Sequence, residues 1–267
     1  MFQFASTVGI AKRLGYEPRF PLDNCRVFFP AGPFSRERGS NENIKCDLME
    51  AFEIPEDYFI NSSDIKIDYL YNESKFEFNE ETKELPDNCG ISGYYQSEKY
   101  FKEYRDLILS IFSFKSPYKD LAVQYMENIR KDDKSSVLAS IHVRRGDYLM
   151  YPDHHPVCTK EYQESARKIL KEKYGDVRFL VFSDDVEWCK NTFRNEEYTI
   201  VNLGNPYSEM LAMSLCDHHI IANSSFSWWG AWLNPKRDKT VIAPNNWFGP
   251  AINKNTQDVY CEDWVKI

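Results

Sequence analysis

The second half of the chain alternates short apolar runs with segments of helical periodicity, and this alternation restricts the fold more than any other feature. Parallel neighbouring strands need a crossover between them, usually a helix, so strict alternation of strand and helix predicts a parallel sheet. We therefore predict an α/β fold whose C-terminal part is Rossmann-like. The predicted strands cover residues 137–143, 177–182, 198–201, 219–222 and 240–243.

Local signals place helices between these strands. Thr159 is a candidate N-cap for a helix over residues 159–174, and Gly175 stands where that helix would end. Pro206 lies near the first turn of a later helix, where its missing N–H costs little. The helix that contains Pro206 is predicted to cover residues 206–216. Of the two remaining predicted helices, one begins near residue 183 or 184 and the other covers residues 228–233.

The first half of the chain is less regular, and a polar stretch at residues 130–136 separates it from the second half. Polar stretches of this kind are common between domains. We therefore predict two domains, residues 1–134 and residues 135–267. Within the first, the pattern predicts a helix over residues 1–14, an extended segment over residues 64–78 and a helix over residues 95–112.

Composition excludes several classes of protein. The formal net charge of −8 argues against a general binder of nucleic acid or of anionic membranes, because an acidic surface repels both. The seven cysteines contain no C-x-x-C pair, so neither a structural zinc site nor a disulfide framework is indicated. The sequence has no run of about 18 apolar residues and no signal-peptide pattern. We predict a cytoplasmic location, with a membrane-associated or Golgi location as the alternative if an N-terminal anchor has been lost.

Polar clusters follow four of the predicted strands. They cover residues 142–148, 183–185, 223–227 and 244–247. Ligands of open parallel sheets bind beyond the carboxyl ends of the strands, where these clusters are expected to meet. The sequence therefore predicts one site at one edge of the second sheet.

The residue types in these clusters predict an anionic ligand. Arg144 and Arg145 offer forks of N–H donors suited to phosphate oxygens. Residues 223–225 precede a predicted helix, whose first N–H groups and dipole favour an anion. Asp184 and Asp185 can accept hydrogen bonds from a ribose or a purine. Together they predict a nucleotide diphosphate whose charge is neutralised by arginine and a helix end, with no metal cofactor.

Each cluster also has a structural interpretation. The arginines could form a solvated pair, and residues 183–185 could act only as a helix cap, as could Ser224 and Ser225. The tryptophans at positions 228, 229 and 232 are predicted to pack in the core, with stacking on a sugar as the alternative. The sequence contains neither a G-x-G-x-x-G turn nor a P-loop, which argues against dehydrogenases and nucleoside triphosphatases.

Several motifs resemble those of fucosyltransferases. Residues 142–147 read H-V-R-R-G-D, which resembles the H-x-R-R-x-D signature, and Tyr148 follows it. Residues 182–185 with Trp188, and then residues 224–231, resemble later motifs of glycosyltransferase family 11, the bacterial-type α-1,2-fucosyltransferases. The opening M-F-Q-F-A resembles the end of that family's G-x-G-N-Q-M-F-Q-[FY]-A segment.

This resemblance implies a GT-B-like fold of two Rossmann-like domains, with the acceptor on the side of the first and GDP-fucose on the parallel sheet of the second. It implies an inverting, metal-independent transfer of L-fucose from GDP-β-L-fucose to a galactoside hydroxyl. Arg144 would hold the β-phosphate, and Asp147 would order the loop of residues 144–148 (the arginine loop) or act nearer the chemistry. The other residues implied to bind GDP-fucose are His142 and Asp184 at the guanosine, Arg145, and Ser224, Ser225 and Phe226 at the phosphates.

Further expectations follow from the same resemblance. The partners are GDP-fucose and a glycan acceptor, with no nucleic acid; a lipid-linked acceptor would add a peripheral association with a membrane. One alternative keeps fucosyl transfer with another linkage or acceptor. Another is an inactive GDP-sugar-binding protein, because the first strand and the G-x-G-N-Q turn of the family would precede Met1 and are missing from this sequence.

Overall fold

The computed structural model describes residues 1–22, 47–132 and 137–267, and these fall into two compact units. The predicted boundary between residues 134 and 135 lies outside the described residues and stays a prediction. The first unit comprises Met1–Ser74, Phe78–Tyr95 and Lys99–Lys115, and the second comprises Lys75–Glu77, Gln96–Glu98 and Ser116–Ile267.

The described part of the first unit contains two parallel pairs of strands, β1 with β2 and β3 with β4. Its longest helix, α1, buries a stripe of apolar side chains and ends at Gly15, whose φ of 78° suits a residue without a Cβ. The elements are α1 (Phe2–Leu14), β1 (Phe20–Pro21), α2 (Asp47–Ala51), β2 (Phe59–Ile60), β3 (Tyr69–Asn72), β4 (Cys89–Ser92) and α3 (Arg105–Ile111).

Two predictions for the first unit are only partly right. The predicted helix over residues 95–112 is α-helical only from Arg105, because the preceding segment forms two separate 3₁₀ turns. There the backbone of Tyr100 and Phe101 packs so closely on α1 that a Cβ at Gly9 would lie 2.3 Å from the Tyr100 carbonyl oxygen. This tertiary contact overrides the local helical pattern. The extended segment predicted over residues 64–78 is a strand only at β3.

The second unit is built on a six-stranded, fully parallel sheet with strand order β10-β9-β8-β5-β6-β7. All five predicted strands are present, β5 with the predicted bounds. The elements are α4 (Ser116–Asp132), β5 (Val137–Val143), α5 (Lys160–Tyr174), β6 (Val177–Ser183), α6 (Val186–Thr192), β7 (Tyr198–Ile200), α7 (Pro206–Ser214), β8 (His218–Ile220), α8 (Ser225–Trp232), β9 (Val241–Ala243) and β10 (Val265–Lys266).

Helices cover both faces of this sheet. One face of β5 carries Ala139 and Ile141, which share a buried cluster with Leu170 of α5. The other face carries Leu138, which shares a second cluster with Met126 of α4 and with residues of α7. Burial on both faces explains why five of the seven residues of this strand are apolar, while the two polar ones, Ser140 and His142, are buried as well. Each fully buried aliphatic side chain contributes about 2 kcal/mol.

The predicted helix signals are confirmed. The Thr159 side chain accepts a hydrogen bond from the N–H of Tyr162 at 3.2 Å, and Pro206 opens α7. Asp185 caps α6 by accepting from the N–H of Trp188 at 3.1 Å, so this part of the 183–185 cluster is a helix cap. The three tryptophans of α8 are buried, as predicted.

Two further findings concern the sequence predictions. In the described ranges, no helix is both long and apolar enough to cross a membrane. Five cysteines are free thiols, while Cys25 and Cys46 lie outside the described residues.

Candidate active site

The polar clusters predicted from the sequence meet at the carboxyl edge of the second unit's sheet. Strands β5 and β6 pair with Val143 opposite Ser183, and the Ser183 hydroxyl donates to the Val143 carbonyl oxygen at 2.8 Å. The chains that leave these strands therefore start side by side. The Asn223 side-chain amide donates to the Trp247 carbonyl oxygen at 3.1 Å, which links the loops after β8 and β9.

Arg144 is held between two carboxylates. One guanidinium nitrogen lies 2.5 Å from an oxygen of Asp147, and the other lies 3.0 Å from an oxygen of Asp184. A third of the Arg144 side chain is still exposed (33%). The guanidinium group is thus oriented by the protein and accessible from outside.

Arg145 has different neighbours, although it is the next residue. Its Nε donates to Asp185 at 3.0 Å, and its guanidinium carbon lies 4.1 Å from the centre of the Trp188 ring. The bond to Arg145 lowers the pKa of Asp185, and the bond from the N–H of Trp188 lowers it further. Arg145 therefore fastens the arginine loop to the start of α6.

Asp184 joins the two arginines. Its Oδ1 accepts the backbone N–H of Arg145 at 2.9 Å, while its Oδ2 faces Arg144. Both oxygens are thus engaged by the arginine loop. The contact with guanosine implied for Asp184 stays a prediction.

The loop continues into a 3₁₀ turn at Asp147–Leu149. The Asp147 side chain is half exposed, whereas Tyr148 is buried and donates its hydroxyl hydrogen to the Asn223 carbonyl oxygen at 2.8 Å. Burial raises the pKa of Tyr148 to about 12. The Tyr148 ring also lies 5.4 Å from the guanidinium carbon of Arg144.

Helix α8 begins at this edge of the sheet. Ser224 is its N-cap and is buried, Ser225 is exposed and Phe226 is half-buried. Among the described residues, the Ser224 side chain accepts no capping hydrogen bond. The first backbone N–H groups of a helix have no acceptor within the helix, and the positive end of the dipole lies there. This end of α8 can accept an anion.

His142, the next-to-last residue of β5, is buried beside the start of α8. Its ring centre lies 5.3 Å from that of Phe226, and only 5% of the residue is exposed. Burial, with a smaller effect of Arg144, lowers the pKa of His142 to about 3. Within the described ranges, its Nδ1 has no hydrogen-bond partner. His142 is therefore a neutral group and adds no charge to the site.

Sequence reasoning missed how Asn223 and His155 support the site. The Asn223 amide donates to the carbonyl oxygens of Pro156 and Trp247, both at 3.1 Å. The His155 ring stacks on Tyr148 with centres 5.0 Å apart. No sequence signal identifies these contacts, because the amide meets backbone carbonyls and the histidine lies in an irregular loop. Over the described part of the chain, no group of three or more metal-ligating side chains is placed to hold a metal ion.

Comparison with known proteins identifies the family. Residues 54–267 match the profile of Glycosyl transferase family 11. The chain belongs to this family. As a member of family 11, it is a glycosyltransferase.

Two relatives from Escherichia coli are similar in sequence. The O-antigen biosynthesis glycosyltransferase WbnK is 32% identical over 93% of this chain and 84% of its own length. An alpha-1,2-colitosyltransferase is 36% identical over 66% of this chain and 61% of its own length. The mouse galactoside 2-alpha-L-fucosyltransferase Sec1 is 25% identical over 66% of this chain and 51% of its own length.

The fold is similar to that of a solved structure, the fucosyltransferase NodZ from Bradyrhizobium. The TM-score is 0.53 at 14% sequence identity, and the match covers 88% of each chain. At 14% sequence identity, this structural similarity shows a shared fold and nothing further. Together with the parallel sheet, it confirms the predicted α/β, GT-B-like class.

Proposed function

We propose that this family 11 member transfers L-fucose from GDP-β-L-fucose to the 2-hydroxyl of a galactoside, with inversion and without a metal ion. The names of the colitosyltransferase and of the mouse fucosyltransferase support transfer to such a hydroxyl. The observation that carries the proposal is the placement of Arg144. Its oriented, partly exposed guanidinium lies at the sheet edge from which α8 also starts.

The transfer reaction requires the protein to stabilise the leaving group, GDP. As the bond from the fucose anomeric carbon to the diphosphate oxygen breaks, its electron pair passes to GDP. Arg144 neutralises the charge that develops on the β-phosphate, and the N–H groups of Ser225 and Phe226 stabilise the other phosphate. These groups supply the positive charge that a divalent metal would otherwise provide. The acceptor hydroxyl oxygen attacks from the opposite side, which inverts the configuration, and its proton is released to water as the new bond forms.

The carboxylates beside Arg144 orient it. Asp147 and Asp184 hold the guanidinium before the donor arrives, so little reorganisation is needed during the reaction. Arg145 contributes through its backbone and its contact with α6, and it keeps the loop in place. His142 and Ser224 complete the pocket as uncharged hydrogen-bonding groups.

The acceptor is proposed to be a glycan of a bacterial surface polysaccharide, since WbnK is named for O-antigen biosynthesis. A lipid-linked form of such a glycan would bring the protein to a membrane surface. Transfer of colitose in place of fucose is the second candidate, and the 36% identity to the alpha-1,2-colitosyltransferase favours it.

The test is turnover of GDP-fucose with lactose as acceptor, with and without a chelator. Mass spectrometry detects a fucosylated product, and two-dimensional NMR assigns its linkage. Formation of 2′-fucosyllactose at an unchanged rate in chelator is the expected result. A different linkage would refute the regiochemistry. Absence of turnover and of GDP binding would refute the proposed function.

A further inference from the structure

The arginine loop and the start of α8 are not held together by the sheet. Strands β5 and β8 pair only as far as Ile141 opposite Ile220. Arg144 lies three residues beyond that last pair, and Ser224 lies four residues beyond it. Contacts outside the ladder must therefore set the distance between these two elements.

The buried Tyr148 hydroxyl supplies such a contact. It donates at 2.8 Å to the carbonyl oxygen of Asn223, the residue directly before the N-cap of α8. The Asn223 amide is itself fixed by the carbonyl oxygens of Pro156 and Trp247. The hydrogen bond therefore joins the arginine loop to an immobilised turn. A bond between buried groups is costly to break, because neither partner finds water instead.

The Tyr148 ring is also fixed from its own side. His155 stacks on it at 5.0 Å, and the Arg144 guanidinium carbon lies 5.4 Å from its centre. The Tyr148 hydroxyl, like that of an ordinary tyrosine, is protonated throughout the neutral range, and burial raises its pKa further, to about 12. The side chain thus connects the guanidinium group and the helix start through one rigid ring.

We propose that Tyr148 is a positioning residue that sets the separation between Arg144 and the amino end of α8, so that these two elements bind the two phosphates of one nucleoside diphosphate. The inference rests on the proposed function and goes beyond it, because it assigns to Tyr148 the preference for a diphosphate over a monophosphate. A monophosphate needs only one of the two elements, so its affinity does not depend on their separation.

The variant Tyr148→Phe removes only the hydroxyl and keeps the ring. The chain offers a control in Tyr162, whose half-buried side chain donates its hydroxyl hydrogen to the carbonyl oxygens of Ile221 at 2.7 Å and Ile242 at 3.0 Å. Tyr162→Phe therefore also removes a partly buried bond from tyrosine to the backbone of the β8 and β9 region, without touching the arginine loop.

Calorimetric titration of wild type and both variants with GDP and with GMP provides the test. Tyr148→Phe is expected to weaken GDP binding about tenfold and GMP binding less than about twofold, since a small displacement disrupts binding to two elements at once. Tyr162→Phe is expected to leave the ratio of the two affinities unchanged. Melting temperatures of the variants confirm that both are folded.

The outcomes separate this inference from the proposed function. Equal losses for GDP and GMP in Tyr148→Phe, or no loss, would overturn the positioning role while leaving a nucleotide site in place. A wild type that binds neither nucleotide would overturn the proposed function itself. If Tyr148→Phe does not fold, Asn223→Ser takes its place, because it releases the same turn from the other side. Asn223→Ser is expected to lower the preference for GDP over GMP as Tyr148→Phe would. An unchanged preference would overturn the inference.

Discussion

The carboxylate of Asp184 occupies the space that a side chain at Gly146 would need. A Cβ at position 146 would lie 2.5 Å from Asp184 Oδ2, well inside van der Waals contact. The missing side chain lets Asp184 reach across the arginine loop to both arginines. The glycine of the H-V-R-R-G-D segment is thus required by a neighbour in the loop that follows β6.

The substitution Gly146→Ala follows from this contact. The new methyl group pushes Asp184 away from Arg144, and we expect kcat/KM for GDP-fucose to fall about 10- to 100-fold, since small misplacements of catalytic groups are costly. The flexible carboxylate can move, so the melting temperature should change little. Gly175→Ala is the control: its φ of 80° predicts a loss of about 1 kcal/mol in stability without a kinetic effect. Normal kinetics in Gly146→Ala would contradict the role of Asp184.

Arg144 and Arg145 are expected to respond differently to replacement by alanine. Arg144→Ala should lose roughly 2–4 kcal/mol of transition-state stabilisation with little change in stability, because its guanidinium is partly exposed and is proposed to stabilise the leaving group. Arg145→Ala should chiefly lower the melting temperature, because it removes the contacts with Asp185 and Trp188. Steady-state kinetics and thermal unfolding of both variants check this. The assignment fails if the two kinetic losses are equal at equal stability.

Asp147 is expected to act on the rate through Arg144. Asp147→Asn weakens the 2.5 Å pair, and we expect kcat to fall about tenfold, less than in Arg144→Ala, while GDP still binds. The control Glu187→Gln removes another exposed acid, which pairs with Lys190 on α6, and should leave kcat unchanged. A loss in Asp147→Asn as large as that in Arg144→Ala would instead indicate that Asp147 acts directly in the chemistry.

Burial of His142 predicts a pH dependence of folding stability. Its pKa falls from 6.5 to about 3 on folding, so the unfolded chain binds more protons between these values. The contribution of His142 to the free energy of unfolding is complete above pH 6.5 and is lost as the pH falls toward 3. Between pH 7 and pH 5 this loss is about 2 kcal/mol.

Urea denaturation at pH 7 and pH 5 measures this loss. His142→Gln should reduce it by about 2 kcal/mol relative to wild type, since His219, which is also buried with its pKa lowered to about 3, contributes equally to both proteins. An identical pH dependence in the two proteins would show that His142 is not held neutral in the folded state.

Local sequence signals were sufficient for most of the second unit. The predicted strand over residues 137–143 has the observed bounds, because a strand covered on both faces is predominantly apolar. Thr159 and Gly175 bound α5 because caps depend on neighbouring residues alone. Strand β10 was not predicted, since two exposed residues carry no periodic signal. The predicted helix around Tyr100 and Phe101 is replaced by 3₁₀ turns, because the backbone there packs against α1.

For the candidate site, the sequence by itself determined which clusters would meet, because parallel strands deliver their following residues to one edge of the sheet. Only the tertiary structure decided which of two adjacent arginines stays accessible and which is fastened to α6. Chemically identical side chains at consecutive positions differ only in the direction in which they leave the backbone. What they meet there, Asp184 and Asp147 or Asp185 and Trp188, depends on how neighbouring loops pack.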